Sequence, residues 1–409
     1  MRRIDASKPP ALVIGSSANA LSVVRSLGRL GVEMHVASSE GADAIRRSRF
    51  CTAFLPIGTT GSVSSQLLDC LDHVPGGAVV LPCDDHGLEF VARHRDEIVE
   101  RGFLPIEADD NVLLAMLDKQ RTYELARLAG VDTPATAAIR TLDDLEHALR
   151  SIAFPCALKP LQFHVFARLL GDSKKAYVVA SASEAEAIVS TVVGLGLELL
   201  LTEIVPGADD ALCSYYSYLD ERGEPLLHFT KRKLRQHPNG FGLGCYQITD
   251  WNPEVAEVGL RFFQGIGLRG LAAVEFKRDA RDGRLKLIEC NHRFTAANEQ
   301  VRIAGLDLAR FTYLRLVGGE LPPVAPYRSG VRLWHPLEDT RAFLSYRSRG
   351  ELSLPGWIGS LLHVQHLPAF SWSDPLPTVV AHARRLRAVA RRRRAAKQGP
   401  RLPDAVPAE

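Results

Sequence analysis

The chain has 409 residues, 46% of them hydrophobic and 24% charged, with a formal net charge of +3. That length and composition allow two or three globular domains and exclude a collagen-like, low-complexity or disordered chain. No apolar run reaches the roughly 18 residues of a membrane-spanning helix, and the seven cysteines are isolated, with no CxxC pair and no zinc spacing. Reduced thiols and an N-terminus without an apolar core lead to the expectation of a cytoplasmic protein.

In chain order, residues 11–15 read as a short buried strand, residues 16–19 lead into an apolar-periodic helix ending near Gly31, and residues 32–36 are a second strand. The helix start offers free N–H groups to an anion. Only the first glycine of a GxGxxG fingerprint is present, with Ser17 and Ala20 in the later places, which argues against a dinucleotide-dependent oxidoreductase. Residues 79–86 repeat the strand, polar turn and helix. Asp84 and Asp85 either cap that helix or face a substrate.

Asp109, Asp110 and Asn111 open a helix that Gly130 closes, with Lys119 inside it. Residues 136–201 suggest a small α/β lid. Thr141 and Ser183 are placed to cap its helices, with Asp144 and Glu186 three residues on, and Lys159 ends a strand over 155–160. A strand over 199–205 then runs into Pro206 and Gly207, which leaves backbone N–H and C=O groups free at its end, followed by Asp209 and Asp210; a strand ending in a polar turn is the plain alternative. Residues 213–219 and 225–231 form a hairpin that continues into Lys231, Arg232, Lys233 and Arg235. Four cations in five residues repel one another unless an anion sits among them; a solvated strand end is the alternative. Lys233 and Arg235 are the candidates for contacting a transferred phosphoryl group or its acceptor carboxylate.

After a helix over 253–268 comes a second hairpin, with strands at 271–277 and 284–290 around the turn residues 278–283. With residue 282 at the centre, Glu275 and Glu289 face each other, their Cβ atoms about 5 Å apart. Like charges so placed are destabilising, and a divalent cation between them compensates. Glu289, Asn291 and Arg293 project from one face at strand spacing, so that a metal, an oxygen ligand and a planar cation share a surface. A plain solvated hairpin face is the alternative. Residues 295–317 are helical, and residues 320–409 carry Trp334, Trp357 and Trp372. Residues 384–397 hold seven arginines, one lysine and no acid, so the remainder of the chain is at −5 and the basicity is local.

The run Val274-Glu275-Phe276-Lys277, followed by Ile288-Glu289-Cys290-Asn291-His292-Arg293, resembles the metal-binding strands of the ATP-grasp superfamily, and the likeness extends over roughly residues 12–319. It implies an α/β chain: an N-terminal Rossmann-like pre-ATP-grasp domain (1–108), a linking helix and small lid subdomain (109–205), a large catalytic subdomain (206–319) and a C-terminal accessory segment with a basic tail (320–409). The implied site has Mg2+, replaceable by Mn2+ and present as two ions, on Glu275, Glu289 and Asn291. Lys119 and Lys159 bind the ATP phosphates, Glu203, Ile204 and Val205 read adenine, and Asp209 or Asp210 takes the ribose. The family's glycine-rich loop falls at 161–176, which has one glycine, Gly171, so Lys174 or Lys175 acts there by charge. Arg293, with Lys233 or Arg235, is the implied catalytic set.

The implied activity is an ATP-dependent carboxylate-amine or carboxylate-thiol ligase working through an acyl-phosphate. An ATP-binding regulatory protein without turnover and an NAD(P)-dependent oxidoreductase are the alternatives. Its partners are ATP and small carboxylate and amine substrates, with no nucleic acid expected; apart from the resemblance, residues 384–397 read as a solvated, partly helical terminus, with weak membrane-surface contact as the alternative. Oligomeric state, substrate identity and the general base are left open.

Overall fold

Ala11–Ile14 (β1) is apolar without a break and buried throughout, as a parallel strand covered on both faces should be. A computed structural model describes residues 4–39, 43–161 and 176–397. The first unit continues through α1 (Ala18–Arg29), β2 (Met34–Ser39), α2 (Asp43–Arg46), β3 (Ala53–Ile57), α3 (Val63–Leu71), β4 (Val79–Pro82), α4 (Asp85–Arg93), α5 (Arg95–Glu100) and β5 (Leu104–Pro105). Its strands are all parallel, in the order β3-β2-β1-β4-β5. The order reverses between β1 and β4, which opens a crevice at their carboxyl ends, where Gly15 and Asp84 lie.

The helix expected from Asp109 to Gly130 is two helices, α6 (Asp110–Leu117) and α7 (Lys119–Leu128). Asp118 between them is extended (φ −101°, ψ 115°), and its carboxylate accepts from the Arg121 amide at 3.1 Å. A short acid satisfies a free N–H better at a helix start than in a helix interior, so the chain breaks there. Lys119 becomes the first residue of α7 rather than an interior one.

The small sheet comprises β6 (Thr136–Ile139), β7 (Cys156–Pro160), β8 (Tyr177–Val179) and β9 (Leu199–Glu203), with α8 (Leu142–Ala148) and α9 (Ala182–Val193) packed on it. It is antiparallel, in the order β6-β9-β7-β8, around Ile139, Leu145, Leu158, Val189 and Leu201. Thr141 and Asp144 form the expected capping box. The second cap is Ser181, not Ser183: its hydroxyl accepts from the Glu184 amide at 3.3 Å while Glu184 accepts from the Ala180 amide at 2.8 Å. Both serines precede a glutamate by three residues, and the helix begins at the first of them because β8 has already ended.

A short turn, Asp209–Ala211, leads into the large sheet: β10 (Leu212–Leu219), β11 (Pro225–His237), β12 (Leu243–Thr249), then α10 (Pro253–Gly265), β13 (Gly270–Arg278) and β14 (Leu285–Asn291). Beyond it come α11 (Asn298–Ala304), α12 (Leu308–Leu316), β15 (Arg332–Trp334), α13 (Pro336–Ser348), α14 (Leu354–Ser360), β16 (Gln365–His366) and α15 (Leu376–Lys397). The strand order is β14-β13-β10-β11-β12-β15-β16, antiparallel except for β15 with β16. The C-terminal segment therefore contributes two strands to this sheet.

One face of the large sheet packs on α6, α7 and α10, with Met116, Tyr123, Phe262 and Phe263 against Val274 and Phe276. The other face is divided. Tyr216, Tyr218, Phe229 and Leu271 join the core of the parallel unit, while Lys231, Lys233, Glu275 and Glu289 occupy the rest of it by strand alternation. Among the described residues no helix is long and apolar enough to cross a membrane.

Candidate active site

The β13–β14 hairpin turns through Asp279 and Gly283, where the Gly283 amide donates to the Asp279 carbonyl at 2.8 Å and Gly283 has a φ of +72°. Glu275 pairs with Glu289 across it, as the symmetric count expects. Nearer the turn the count slips, because Phe276 pairs with Leu287 and leaves Ile288 as an extra residue. The Ile288 carbonyl accepts from the Tyr123 hydroxyl at 2.9 Å, so α7 satisfies the group the bulge displaces. Without the bulge Glu289 would stand opposite Val274 and point into the apolar face.

The paired carboxylates are not left to repel. Lys233, on β11, donates from Nζ to Glu275 Oε1 at 2.9 Å and has only 10% of its side chain exposed. Glu289 is exposed to a cleft that it lines with Asp85, Lys119, Tyr123, Asn291 and His292. On the lid side, Lys159 has its ammonium held down to about 8, first by burial and then by the charge of Lys119, with Glu289 opposing. Two lysines and a carboxylate thus share one space, a charge pattern that an anion completes.

Three solved structures share the fold that carries this arrangement. The chain is 17% identical to the biotin carboxylase domain of the Hydrogenobacter thermophilus 2-oxoglutarate carboxylase, a structure determined with MgADP, ADP and bicarbonate; the match covers 78% of this chain and 73% of that one, with a TM-score of 0.60. It is 15% identical to an L-amino acid ligase from Bacillus licheniformis, over 77% and 75% of the two chains, at 0.59. An N5-carboxyaminoimidazole ribonucleotide synthetase in its ADP complex aligns over 80% and 82% at 14% identity and 0.61. The chain has the ATP-grasp fold. By sequence it is 26% identical over 242 residues to D-aspartate ligase of Enterococcus faecium, a stretch that spans 57% of this chain and 57% of that protein. No family model matches the chain.

Within the ATP-grasp frame the remaining candidates divide. Arg293 donates from Nε to Asp85 Oδ1 at 2.6 Å, so the chain after the large sheet meets the parallel unit at that pair. Asp84 is the cap of α4, accepting from the Gly87 amide at 2.8 Å. The Ile204 and Val205 amides at the end of β9 have no hydrogen-bond partner among the described residues, whereas the Glu203 amide is used by the Ala135 carbonyl at 2.8 Å. Burial alone would raise the Glu203 carboxyl, but the Ala135 amide, Arg281 and Lys286 hold it below its ordinary value. Asp209 is already engaged by Gln236 (2.6 Å), the Gly240 amide (3.2 Å) and Tyr346, while Asp210 is exposed. Lys174 and Lys175 lie outside the described residues.

Three of the four cations in the run find anions within the protein, and the fourth finds a neutral amide. Arg232 pairs with Asp250 at 3.0 Å and Lys233 with Glu275, while Lys231 donates to Gln247 at 2.6 Å. Arg235, expected near the transferred group, is instead clamped by Asp339 through Nε (2.6 Å) and Nη2 (3.0 Å), donates to Ser360, and stacks over the Tyr246 ring at 4.4 Å. Its partner lies 104 residues along the chain, in the segment that extends the sheet, which is why local charge counting missed it. Of the two acids read as either capping α4 or facing a substrate, Asp84 caps the helix and Asp85 turns to Arg293, a pairing the sequence did not give, and Tyr123 was not singled out at all. Asp85 was legible as an acid at the carboxyl end of a strand beside a topological switch point; nothing local marks Tyr123.

No group of three or more His, Cys, Asp or Glu side chains able to hold a metal occurs among the described residues. Magnesium bound with nucleotide needs fewer, since it keeps waters and takes one or two carboxylates plus phosphate oxygens. Glu275 and Glu289 opposite each other, with the Asn291 amide one strand repeat on, fit that requirement.

Proposed function

We propose that this chain is an ATP- and magnesium-dependent ligase that activates a carboxylate as an acyl-phosphate and passes the acyl group to an amine or thiol. The observation that carries the reading is the opposition of Glu275 and Glu289 beside Asn291, facing a cleft that Lys119 and Lys159 make electropositive. The similarity to D-aspartate ligase supports an amino acid as the acid substrate, and the L-amino acid ligase among the structural neighbours agrees with it.

In this reading Glu275, Glu289 and Asn291 would hold magnesium, taken as two ions, which would supply charge neutralisation to the nucleotide phosphates. Lys119 and Lys159 neutralise the phosphate oxygens, the free Ile204 and Val205 amides meet the adenine edge, and Asp210 is the carboxylate left for the ribose. A substrate carboxylate oxygen attacks the γ-phosphorus and ADP leaves; Arg293 holds the carboxylate and the acyl-phosphate it becomes. The amine nitrogen then attacks the acyl carbon, the bond from carbon to the phosphate oxygen breaks, and the nitrogen's proton departs with phosphate or water. Positioning and charge do most of this work, not covalent chemistry by the protein. Lys233 keeps Glu275 oriented, and Arg235 acts at a distance by holding the C-terminal segment to the sheet.

The test is release of ADP from ATP and magnesium against a panel of amino acids, hydroxy acids and amines, offered singly and in pairs. ADP formed only with a particular acid and nucleophile supports the reading. Absence of both ADP release and any ATP-dependent rise in melting temperature overturns it.

A further inference from the structure

The cleft is walled on one side by an acid from the parallel unit, and the phosphoryl-transfer chemistry gives that acid no task. Asp85 is the first residue of α4, one place after the cap, and 66% of its side chain is exposed although it is paired with Arg293. Arg293 uses Nε for Asp85 Oδ1 and directs Nη1 to the Phe294 carbonyl at 3.4 Å. Among the described residues neither Asp85 Oδ2 nor Arg293 Nη2 has a hydrogen-bond partner. The pair therefore keeps one anionic acceptor and one cationic donor uncommitted, side by side, at the edge of the cleft that also holds Glu289 and Asn291.

The placement is built into the fold. Asn19, at the start of α1 and 6% exposed, donates from Nδ2 to the Cys83 carbonyl (2.5 Å) and the Phe294 carbonyl (3.0 Å), tying the chain just before Asp84 to the chain just after Arg293. Gly15 leaves room for the Asp84 carboxylate, since a Cβ there would lie 3.1 Å from Asp84 Oδ2. Gly87 does the same for α4 against β1, where a Cβ would meet Ile14 at 2.8 Å. Asp85 is thus placed relative to Arg293 by the two Asn19 hydrogen bonds, with α4 seated against β1 and its end at Gly15 and Gly87, and none of these involves either side chain.

An adjacent carboxylate and guanidinium, each with a free hydrogen-bonding edge, complement a ligand with an adjacent cation and anion. We propose that Asp85 binds the ammonium group of an amino acid whose carboxylate, one or two carbons away, is held by Arg293 for phosphorylation. The inference rests on the ligase reading with an amino acid as its acid substrate, and adds to it the residue that selects that amino acid over the corresponding simple carboxylic acid. Burial raises the Asp85 carboxyl, but Arg293 outweighs that and holds it below its ordinary value, so Asp85 is anionic when the ammonium arrives.

Hydroxylamine, an uncharged nucleophile, isolates the activation step: with ATP and magnesium it converts an activated acid to a coloured hydroxamate whatever the natural nucleophile is. The acids are aspartate with its desamino counterpart succinate, and alanine with propionate. The expected result is hydroxamate from an amino acid and at least tenfold less from its desamino counterpart with the wild-type protein. D85N should raise the KM for the amino acid by tenfold or more, leave the KM for ATP and the melting temperature unchanged, and narrow the preference over the desamino acid. Equal use of the amino and desamino acids by the wild type overturns the proposal. So does a D85N variant whose amino-acid KM is unchanged, or whose only change is a higher magnesium requirement, which would make Asp85 a metal ligand. Hydroxamate from none of the acids, with ATP still raising the melting temperature, removes the amino-acid substrate and leaves the nucleotide site standing; no ATP binding at all sinks the ligase reading, and this inference with it.

Discussion

Glu275 stands opposite Glu289 one residue beyond the bulge at Ile288, and the bulge decides which face of the sheet Glu289 occupies. Among the described residues the two carboxylates have one close counter-charge, Lys233 at 2.9 Å from Glu275, and Glu289 has none so close. Glu289→Gln keeps the shape and removes the charge. It should lower magnesium-dependent ADP release by at least ~100-fold, a barrier increase of about 2.7 kcal/mol or more, with the melting temperature unchanged or slightly raised because a repulsion is relieved. Steady-state kinetics at varied magnesium, together with a thermal melt, read both. Wild-type turnover in the variant would remove Glu289 from the metal site.

Lys159 should make nucleotide affinity depend on pH. Its folded pKa of about 8 lies below the ordinary 10.5, so between those values the unfolded chain binds more protons. The destabilisation due to this lysine is full below about pH 8 and is relieved as the pH rises through that window. Binding works in the opposite sense: phosphate oxygens need the cation, so ATP affinity should decline as the pH passes above about 8. Lys159→Arg, which stays charged, should flatten the decline. Titrating ATP into both proteins from about pH 7 to about pH 9.5 tests it. Parallel pH profiles for the two would show that Lys159 does not meet the phosphates.

Asp118 connects a capping rule to the site. Its carboxylate starts α7 and so fixes the backbone at Lys119. Asp118→Ala should cost about 1 kcal/mol of stability and weaken ATP binding several-fold, because the first turn of α7 frays at the lysine. Asp118→Ser, which retains a capping oxygen, should restore most of both. Chemical denaturation and ATP titration of the two variants separate these outcomes, and a full loss of ATP binding in the serine variant would point to a direct role for the carboxylate.

What could be read from the sequence was whatever a short window specifies. Turn residues around Asp282 and two apolar runs located the hairpin, and counting outward from the turn placed Glu275 against Glu289. The bulge that rescues that register was not legible, since the carbonyl it displaces is satisfied by a tyrosine hydroxyl 165 residues upstream. Capping signals found Thr141 but settled on Ser183 where the cap is Ser181, because the choice depends on where β8 stops. The acids that neutralise Lys233 and Arg235 lie 42 and 104 residues away in the chain. Their partnership follows from sheet order, which no local pattern encodes.

Asp339 is where the C-terminal segment is most exposed to test. It is fully buried and accepts from Arg235 twice, from the Trp334 indole at 3.0 Å and from the Trp357 indole at 2.9 Å. Removing one partner of such a group leaves a buried guanidinium and two indole N–H groups unsatisfied, which costs about 3–5 kcal/mol. Asp339→Ala should therefore lower the midpoint of urea denaturation sharply. Replacing both ions by apolar residues of similar volume, Arg235→Met with Asp339→Leu, should recover a large part of the loss, since desolvating the pair offsets much of its attraction. Arg25 and Asp374 form a second buried pair, at 2.9 Å, between α1 and the same segment, and it holds the far end whether or not Asp339 is present. Loss of ATP-dependent stabilisation in the Asp339→Ala variant, with its recovery in the double variant, would place the segment's role in holding β11 in register beneath Lys233. A double variant as stable as the wild type but unable to bind ATP would instead assign Arg235 to the nucleotide itself.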